Sequence, residues 1–238
     1  FLGIDTKPYT FSYGDLKDAT NDFSPTNKLG EGGFGPVYKG ILDDGRVIAV
    51  KQLSLASHQG KAQFIAEIAT ISAVQHRNLV KLYGCCIEGV KRLLVYEYLE
   101  NKSLDQALFG DNKLSLNWAT RFEICPGLAR GLAYLHEESR IRIIHRDVKA
   151  SNVLLDADLN PKISDFGLAK LYDDNKTRMS TRVAGTIGCL ASEYAMRGHL
   201  TEKADVFGFG VVALEIISGR PNSDSTLEDE QIYLLEWV

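Results

Sequence analysis

The sequence predicts an α+β chain of two lobes. Three observations carry this. Short alternating strand patterns fill the N-terminal part, a single amphipathic helix interrupts them, and helical periodicity takes over beyond Tyr98. In order, Phe11 to Asn21 reads as a short helical lead. Val37-Tyr38-Lys39-Gly40-Ile41-Leu42 is strand-like, Asp43-Asp44-Gly45 is a tight-turn signal, and Arg46 to Lys51 alternates back as the partner strand. Ser57 to Gln75 places Phe64, Ile68, Ile71 and Val74 three to four residues apart, one buried face of a helix. Strands follow near Leu79 to Ile87 and Arg92 to Tyr98, and the lobe boundary falls at Glu97-Tyr98-Leu99. Ser103 to Phe109, Asn117 to Glu138 and Thr201 to Ser218 then read as helices, with a loop and short strands between the last two. Pro126 lies inside the second of these; it removes a backbone donor and costs about 3 kcal/mol unless the helix kinks there.

The chain has 238 residues, enough for a large core, and its net charge of −4 and pI near 5.8 argue against a nucleic-acid binder. The longest apolar run, Val206 to Ile217, is broken by Glu215 and is shorter than the roughly 20 residues a membrane span needs, so no span is expected. Phe1 to Thr10 shows no signal-peptide pattern. Cys85, Cys86, Cys125 and Cys189 lack metal-site spacing, and adjacent Cys85 and Cys86 do not comfortably bridge. A reduced, cytosolic environment is the simplest reading. No internal repeat or low-complexity tract occurs.

The chemistry is concentrated in Ile143-Ile144-His145-Arg146-Asp147-Val148-Lys149-Ala150-Ser151-Asn152 and in Asp165-Phe166-Gly167. A loose phosphoryl-transfer transition state leaves little covalent work, so such a site supplies positioning and charge neutralisation. Asp165 and the Asn152 amide offer the oxygen ligands that Mg²⁺ requires, and Lys149 meets the charge of the transferred phosphate. Asp147 would accept the proton of an attacking hydroxyl. A His-Arg-Asp triplet alone is more often a solvated surface feature; Asp147, Lys149, Asn152 and Asp165 together are not.

At this point the sequence resembles the eukaryotic protein kinases. Leu29-Gly30-Glu31-Gly32-Gly33-Phe34-Gly35-Pro36-Val37 matches their glycine-rich loop, so Leu29, Gly30, Gly32 and Gly35 are placed over the phosphates of ATP. Such glycines also open dinucleotide-binding units, but a strand and hairpin follow here instead of a helix, and alternating βαβ units are lacking. Ile48-Ala49-Val50-Lys51 matches V-A-I-K, which makes Lys51 the ligand of the α- and β-phosphates. A helical glutamate is usually solvated; with Lys51 upstream, Glu67 is favoured as its ion-pair partner, and the resemblance implies that the pair marks the active state. The resemblance further places adenine on the backbone of Glu97 and Leu99, between Val37, Ala49 and Leu154, with Tyr96 as gatekeeper. Tyr96 and Tyr98 suit plain strand aromatics equally well. Ile71, Leu82, His145 and Phe166 match the regulatory stack of the family.

Lys149 two residues after Asp147, with Gly185-Thr186 ahead of Glu193, resembles serine/threonine kinases. Phe11-Ser12-Tyr13-Gly14-Asp15-Leu16 with Ala19-Thr20, then Asn27 to Gly35, Gly84-Cys85-Cys86 and Asp147 to Asn152, resemble plant receptor-like kinases, above all the leucine-rich-repeat class. The resemblance implies a lead segment over 1–22 and a kinase domain over 23–238, with an N-lobe at 23–96 (antiparallel sheet plus one helix), a hinge at 97–99 and a mainly helical, truncated C-lobe at 100–238. It also implies ATP and Mg²⁺ as cofactors and a protein with Ser or Thr as substrate. Receptor or co-receptor kinases become expected partners, and the expected location is the cytosolic side of the plasma membrane, or the cytoplasm for a relative that is not part of a receptor.

Control is expected between Asp165 and Glu193, where Thr177, Ser180, Thr181 and Thr186 alternate with Lys176, Arg178 and Arg182. Such a polar loop is ordinarily just exposed. Arg146, next to the catalytic acid, can pair bidentately with a phosphate, with Lys170 as a second ligand, and Ser180 or Thr181 as the modified residue. Three departures from the family pattern stand out. Ala191-Ser192-Glu193 replaces Ala-Pro-Glu, with Cys189 where receptor-like kinases usually carry Tyr; Pro126 interrupts a helix; and the chain ends at Val238 before further helices, one of which carries the arginine that pairs with Glu193. The alternative function is accordingly a catalytically weak ATP-binding or interaction module.

Overall fold

The computed structural model describes residues 8–32, 35–53, 58–111, 113–172, 179–180, 183–224, 227 and 232–237, with backbone alone at 58–59, 179–180 and 236–237. The chain forms two compact units, Phe1–Gln75 with Val80–Leu99, and His76–Leu79 with Glu100–Val238.

The first unit is built on a six-stranded sheet. Its strands are β1 (Tyr9–Thr10), β2 (Lys28–Gly32), β3 (Gly35–Ile41), β4 (Val47–Gln52), β5 (Leu82–Glu88) and β6 (Lys91–Glu97), in the order β1-β5-β6-β4-β3-β2. Neighbours run antiparallel except β1, which lies parallel to β5 and makes the expected antiparallel sheet a mixed one. Two residues of strand were too short to leave an alternation signal. Alternation along β4 sends Ile48 and Val50 to one face, where they are fully buried with Phe11, Leu16, Cys86, Leu93 and Val95. Leu16 comes from helix α1 (Tyr13–Ala19), whose N-terminus is capped by Ser12 Oγ accepting from Asp15 N at 3.0 Å.

Helix α2 covers His58–Ile71, four residues shorter at its C-terminus than its apolar spacing suggests, and Ser57 lies outside the described residues. Phe64 and Ile71 are buried, Ile68 and Val74 half-buried. Beyond Ile71 the hydrogen bonds tighten to Ala73 N–Thr70 O and Val74 N–Ile71 O, and His76–Leu79 then belongs to the second unit. There Asn78 Nδ2 donates to Pro161 O at 2.9 Å, Asn78 O accepts from Ile163 N at 2.8 Å, and His76 stacks on Tyr134. Strand β5 therefore begins at Leu82 rather than Leu79.

The second unit is mainly helical. It contains α3 (Leu104–Phe109), α4 (Trp118–Ala133, continued by a π-helical turn at Tyr134–Glu138), α5 (Ser192–Arg197), α6 (Lys203–Ser218) and α7 (Leu234–Trp237). Between them lie three two-stranded pairs, β7 (Ile143–Ile144) with β10 (Lys170–Leu171), β8 (Val153–Leu155) with β9 (Pro161–Ile163), and β11 (Met179–Ser180) with β12 (His199–Leu200). Leu104, Ile124, Leu128, Leu135, Ile143, Ile144, Leu155, Val212 and Ile216 form its buried interior. No helix among the described residues is long and apolar enough to cross a membrane.

Helix α4 is assigned without a break across Pro126. The absent N–H would have served the carbonyl of Phe122, a residue 59% exposed, so the missing bond falls on the solvent-facing side of the helix. Pro126→Ala is expected to raise stability by about 2 kcal/mol, the helix-interior penalty of about 3 less about 1 for the freer unfolded chain. The urea midpoint reads this; an unchanged midpoint would mean the proline is accommodated without cost.

Candidate functional site

In the first unit, the β3–β4 register sets Val37 opposite Lys51, and the β4–β6 register sets Ala49 opposite Tyr96. Strand alternation therefore puts Val37, Ala49, Lys51 and Tyr96 on one face, opposite the face that packs on α1. Lys51 Nζ lies 3.1 and 3.0 Å from the two carboxylate oxygens of Glu67 on α2, and the Tyr96 hydroxyl donates to Glu67 Oε1. Lys51 is 8% exposed and Glu67 1%, so the pair is desolvated and holds α2 to the sheet by charge-assisted bonds.

Leu29, Gly30 and Gly32 lie exposed on β2, and the pairing with β3 shifts register between Lys28 and Gly30. A Cβ at Gly30 or Gly32 would meet nothing within 4 Å among the described residues, so packing against them does not require glycine there. Gly35 differs: its φ is +128°, and a Cβ would fall 2.0 Å from Gln52 O. Gly33 and Phe34 are outside the described residues. Glu97 N donates to Lys81 O at 3.0 Å, Glu97 Oε1 accepts from Lys81 N at 2.8 Å, and Leu99 is buried.

In the second unit Asp147, 5% exposed, is the hub. Its Oδ1 accepts from Thr186 Oγ1 at 2.6 Å; its Oδ2 accepts from Asn152 Nδ2 at 3.0 Å and meets Lys149 Nζ at 3.0 Å. Lys149 also donates to Thr186 Oγ1 at 2.8 Å, which closes a ring of acid, lysine and threonine. Asn152 Nδ2 donates in addition to Asp147 O at 2.8 Å, so the amide nitrogen is engaged and the carbonyl Oδ1 is left for a hard cation. Among the described residues no three His, Cys, Asp or Glu gather as a metal site. An amide and a single carboxylate, Asp165, suit Mg²⁺ that draws its remaining ligands from phosphates and water.

The loop bearing Asp147 is held by Asp205, 1% exposed in the first turn of α6. Its Oδ2 accepts from His145 N and pairs with His136 Nε2, both at 2.8 Å, and its Oδ1 accepts from Arg146 N at 2.8 Å. His145 Nε2 meets Ser164 O at 2.9 Å, and its ring stands edge-on to Phe166 at 4.9 Å. Arg146 (φ +73°) and Asp165 (φ +62°) adopt left-handed backbone, which costs non-glycine residues about 1 kcal/mol or more and concentrates at functional loops. Asp205 and His136 were not singled out for a role from sequence. The available signal was an acid within an apolar helix, a position where charge survives only if paired.

Arg146 donates from Nε to Tyr194 Oη at 3.0 Å and from Nη1 to Leu168 O at 3.1 Å. Burial, then the neighbouring Arg146 charge, pull Lys170 below its usual range, so two cations share this corner. Ser180 lies in β11, with only its backbone described, and Thr181 together with Lys176, Thr177, Arg178 and Arg182 lies outside the described residues. Leu154 is half-buried on β8. Ala191 is buried and Ser192 opens α5, whereas Glu193 is exposed. Cys189 is buried, and burial foremost pushes its thiol up to about 12.

Residues 23–235 match the family model described as protein tyrosine and serine/threonine kinase. The whole chain is 75% and 74% identical to two probable LRR receptor-like serine/threonine-protein kinases of Arabidopsis thaliana, and 99% of it is 64% identical to a third. It spans 23% of the length of each. A buried Lys51–Glu67 pair, an Asp147 hub and the match over residues 23–235 place the chain in one family: it belongs to the protein tyrosine and serine/threonine kinases.

Proposed function

We propose that this chain transfers the γ-phosphoryl group of ATP to serine or threonine hydroxyls of a protein. The observation that carries the reading is the closed ring of Asp147, Lys149 and Thr186 with Asn152 behind it. A substrate hydroxyl takes the place of the Thr186 hydroxyl at Asp147 Oδ1, which receives its proton, while Lys149 stays beside the incoming oxygen as a positive charge. Asn152 and Asp165 would hold Mg²⁺, which when bound neutralises phosphate charge. Lys51, fixed by Glu67 and Tyr96, meets the α- and β-phosphates. Gly30 and Gly32, where a Cβ would meet nothing within 4 Å among the described residues, let the phosphates approach the backbone without a side chain in the way. Val37, Ala49 and Leu154 flank adenine, and the backbone of Glu97 and Leu99 receives it. Within residues 23–238, 23–96 is the N-lobe, 97–99 the hinge and 100–238 the C-lobe, preceded by a lead at 1–22. The reading of a catalytically weak module has no observation in its favour.

The relatives named receptor-like support a place for this chain as the kinase region of a receptor on the cytosolic side of the plasma membrane, with receptor or co-receptor kinases as partners. Activation follows phosphorylation at Ser180 or Thr181, with Arg146 and Lys170 as the cations that receive the phosphate. Ser180→Ala/Thr181→Ala protein is expected to turn over peptide roughly tenfold more slowly than protein allowed to autophosphorylate, the worth of one charge-assisted hydrogen bond. Equal rates would overturn that mechanism. Transfer itself is tested by incubating purified chain with γ-labelled ATP, Mg²⁺ and a Ser/Thr peptide. Label on serine or threonine, abolished by chelator, supports the proposal; label on tyrosine alone, or none, overturns it.

A further inference from the structure

Glu215 Oε2, Asn222 Oδ1 and Asp105 Oδ1 are buried acceptor atoms that lack a donor among the described residues. Glu215 is 5% exposed and Asn222 8%. They are already joined, because Asn222 N donates to Glu215 Oε1 at 2.8 Å. Asn222 also reaches the 183–190 loop: its Nδ2 meets Cys189 Sγ at 3.6 Å, and a Cβ built on Gly188, which has φ +85°, would lie 2.6 Å from that same nitrogen. Cys189 N in turn donates to Thr186 O at 3.0 Å, and Thr186 Oγ1 sits on Asp147 and Lys149. Contacts thus run without a gap from Glu215 to the Asp147 ring.

Glu215 Oε2 and Asn222 Oδ1 belong to two residues already hydrogen-bonded to one another; each is costly while it lacks a donor, and one proton on the carboxyl oxygen, shared with the amide oxygen, satisfies both. We propose that Glu215 and Asn222 are positioning residues for phosphoryl transfer, in which a solvent-derived proton on Glu215 Oε2, donated to Asn222 Oδ1, clamps Asn222 under the loop that carries Thr186. Loss of that proton leaves a buried carboxylate facing a carbonyl dipole; Asn222 withdraws and the loop loosens. Burial, with Asp105 adding to it against the Asn222 N–H, pushes the Glu215 carboxyl up to about 7. Among the described residues the charged groups around it are Asp105 on α3 and, across Cys189, Asp147 and Lys149; Arg121 of α4 donates to the carbonyl of the neighbouring Ile216. The fold favours the protonated form, so the stability drawn from it is complete below the ordinary carboxyl value of 4.5 and erodes as pH climbs to about 7.

The role in transfer rests on the kinase reading, so the primary readout is independent of activity. Amide hydrogen exchange of residues 185–190, corrected for intrinsic rates, is followed from about pH 6 to about pH 8; a single-proton clamp loses at most tenfold protection per pH unit. Wild type is expected to lose protection through this range. Glu215→Gln, a neutral amide that still donates, is expected to show no such step, and Asn222→Ala removes the step with protection low throughout. A wild-type profile as flat as that of Glu215→Gln, or an unchanged step in Asn222→Ala, overturns the clamp. Peptide KM of wild type should rise through the same range while that of Glu215→Gln does not; a KM that ignores a titrating loop overturns the positioning role. Absence of transfer at every pH, with the exchange step present, overturns the kinase reading and leaves the clamp standing.

Discussion

Replacing Asp147 by asparagine is expected to slow phosphoryl transfer about 10³-fold while nucleotide affinity changes little, the loss ascribed to a well-placed proton acceptor. The shape of the side chain is kept. Thr186 Oγ1 can still donate to the amide oxygen at the position of Oδ1. The other side fails, since Asn152 Nδ2 and Lys149 Nζ both approach Oδ2, and an amide NH₂ there would set donors against donors. The variant should therefore also lose about 1 to 2 kcal/mol of stability, small against the catalytic effect. Rapid-quench transfer at saturating ATP, with nucleotide binding measured alongside, reads both. A variant that transfers at the wild-type rate would show that Asp147 has no part in the chemistry.

Lys51→Met is expected to do double damage. It removes the cation meant for the nucleotide phosphates, worth 10²- to 10³-fold in rate for a lost electrostatic contact. It also strands Glu67, 1% exposed, with the Tyr96 hydroxyl as a remaining donor. Breaking a buried pair on one side costs about 3 to 5 kcal/mol, and the lower end fits here because Tyr96 stays. Neutralising the orphan separates the two effects. Lys51→Met/Glu67→Gln keeps an acceptor for Tyr96 and should recover most of the stability without recovering transfer. If instead the double variant regained activity, Lys51 would be a structural cation.

How much of this was legible in the sequence depended on whether a residue's role leaves a local pattern. Lys51 was readable from the match of Ile48-Ala49-Val50-Lys51 to V-A-I-K, and alternation along the strand sends it to the face opposite buried Ile48 and Val50. Glu67 followed from Lys51 upstream, since a glutamate on a helix whose apolar face is marked by Phe64, Ile68 and Ile71 is otherwise ordinarily solvated. Asp205 was not readable in its role. It acts on backbone amides of His145 and Arg146, about sixty residues away, and a carboxylate that caps distant amides has no spacing rule. The same holds for His76–Leu79, which sit between a helix and a strand of the first unit yet bond to Pro161 and Ile163. Glu215 was visible as an acid interrupting an apolar run, but its meaning needed Asn222 and the loop beside it.

The proposed function has Lys51, Asp147, Asn152 and Asp165 all serve one phosphoryl transfer. The most direct measurement is the transfer rate of wild type, Lys51→Met, Asp147→Asn and the double variant under identical Mg²⁺-ATP. Residues acting on a single step are strongly non-additive, so the double variant should be about as slow as the slower single variant. Losses that multiply in full, or a single variant with wild-type transfer, would contradict it.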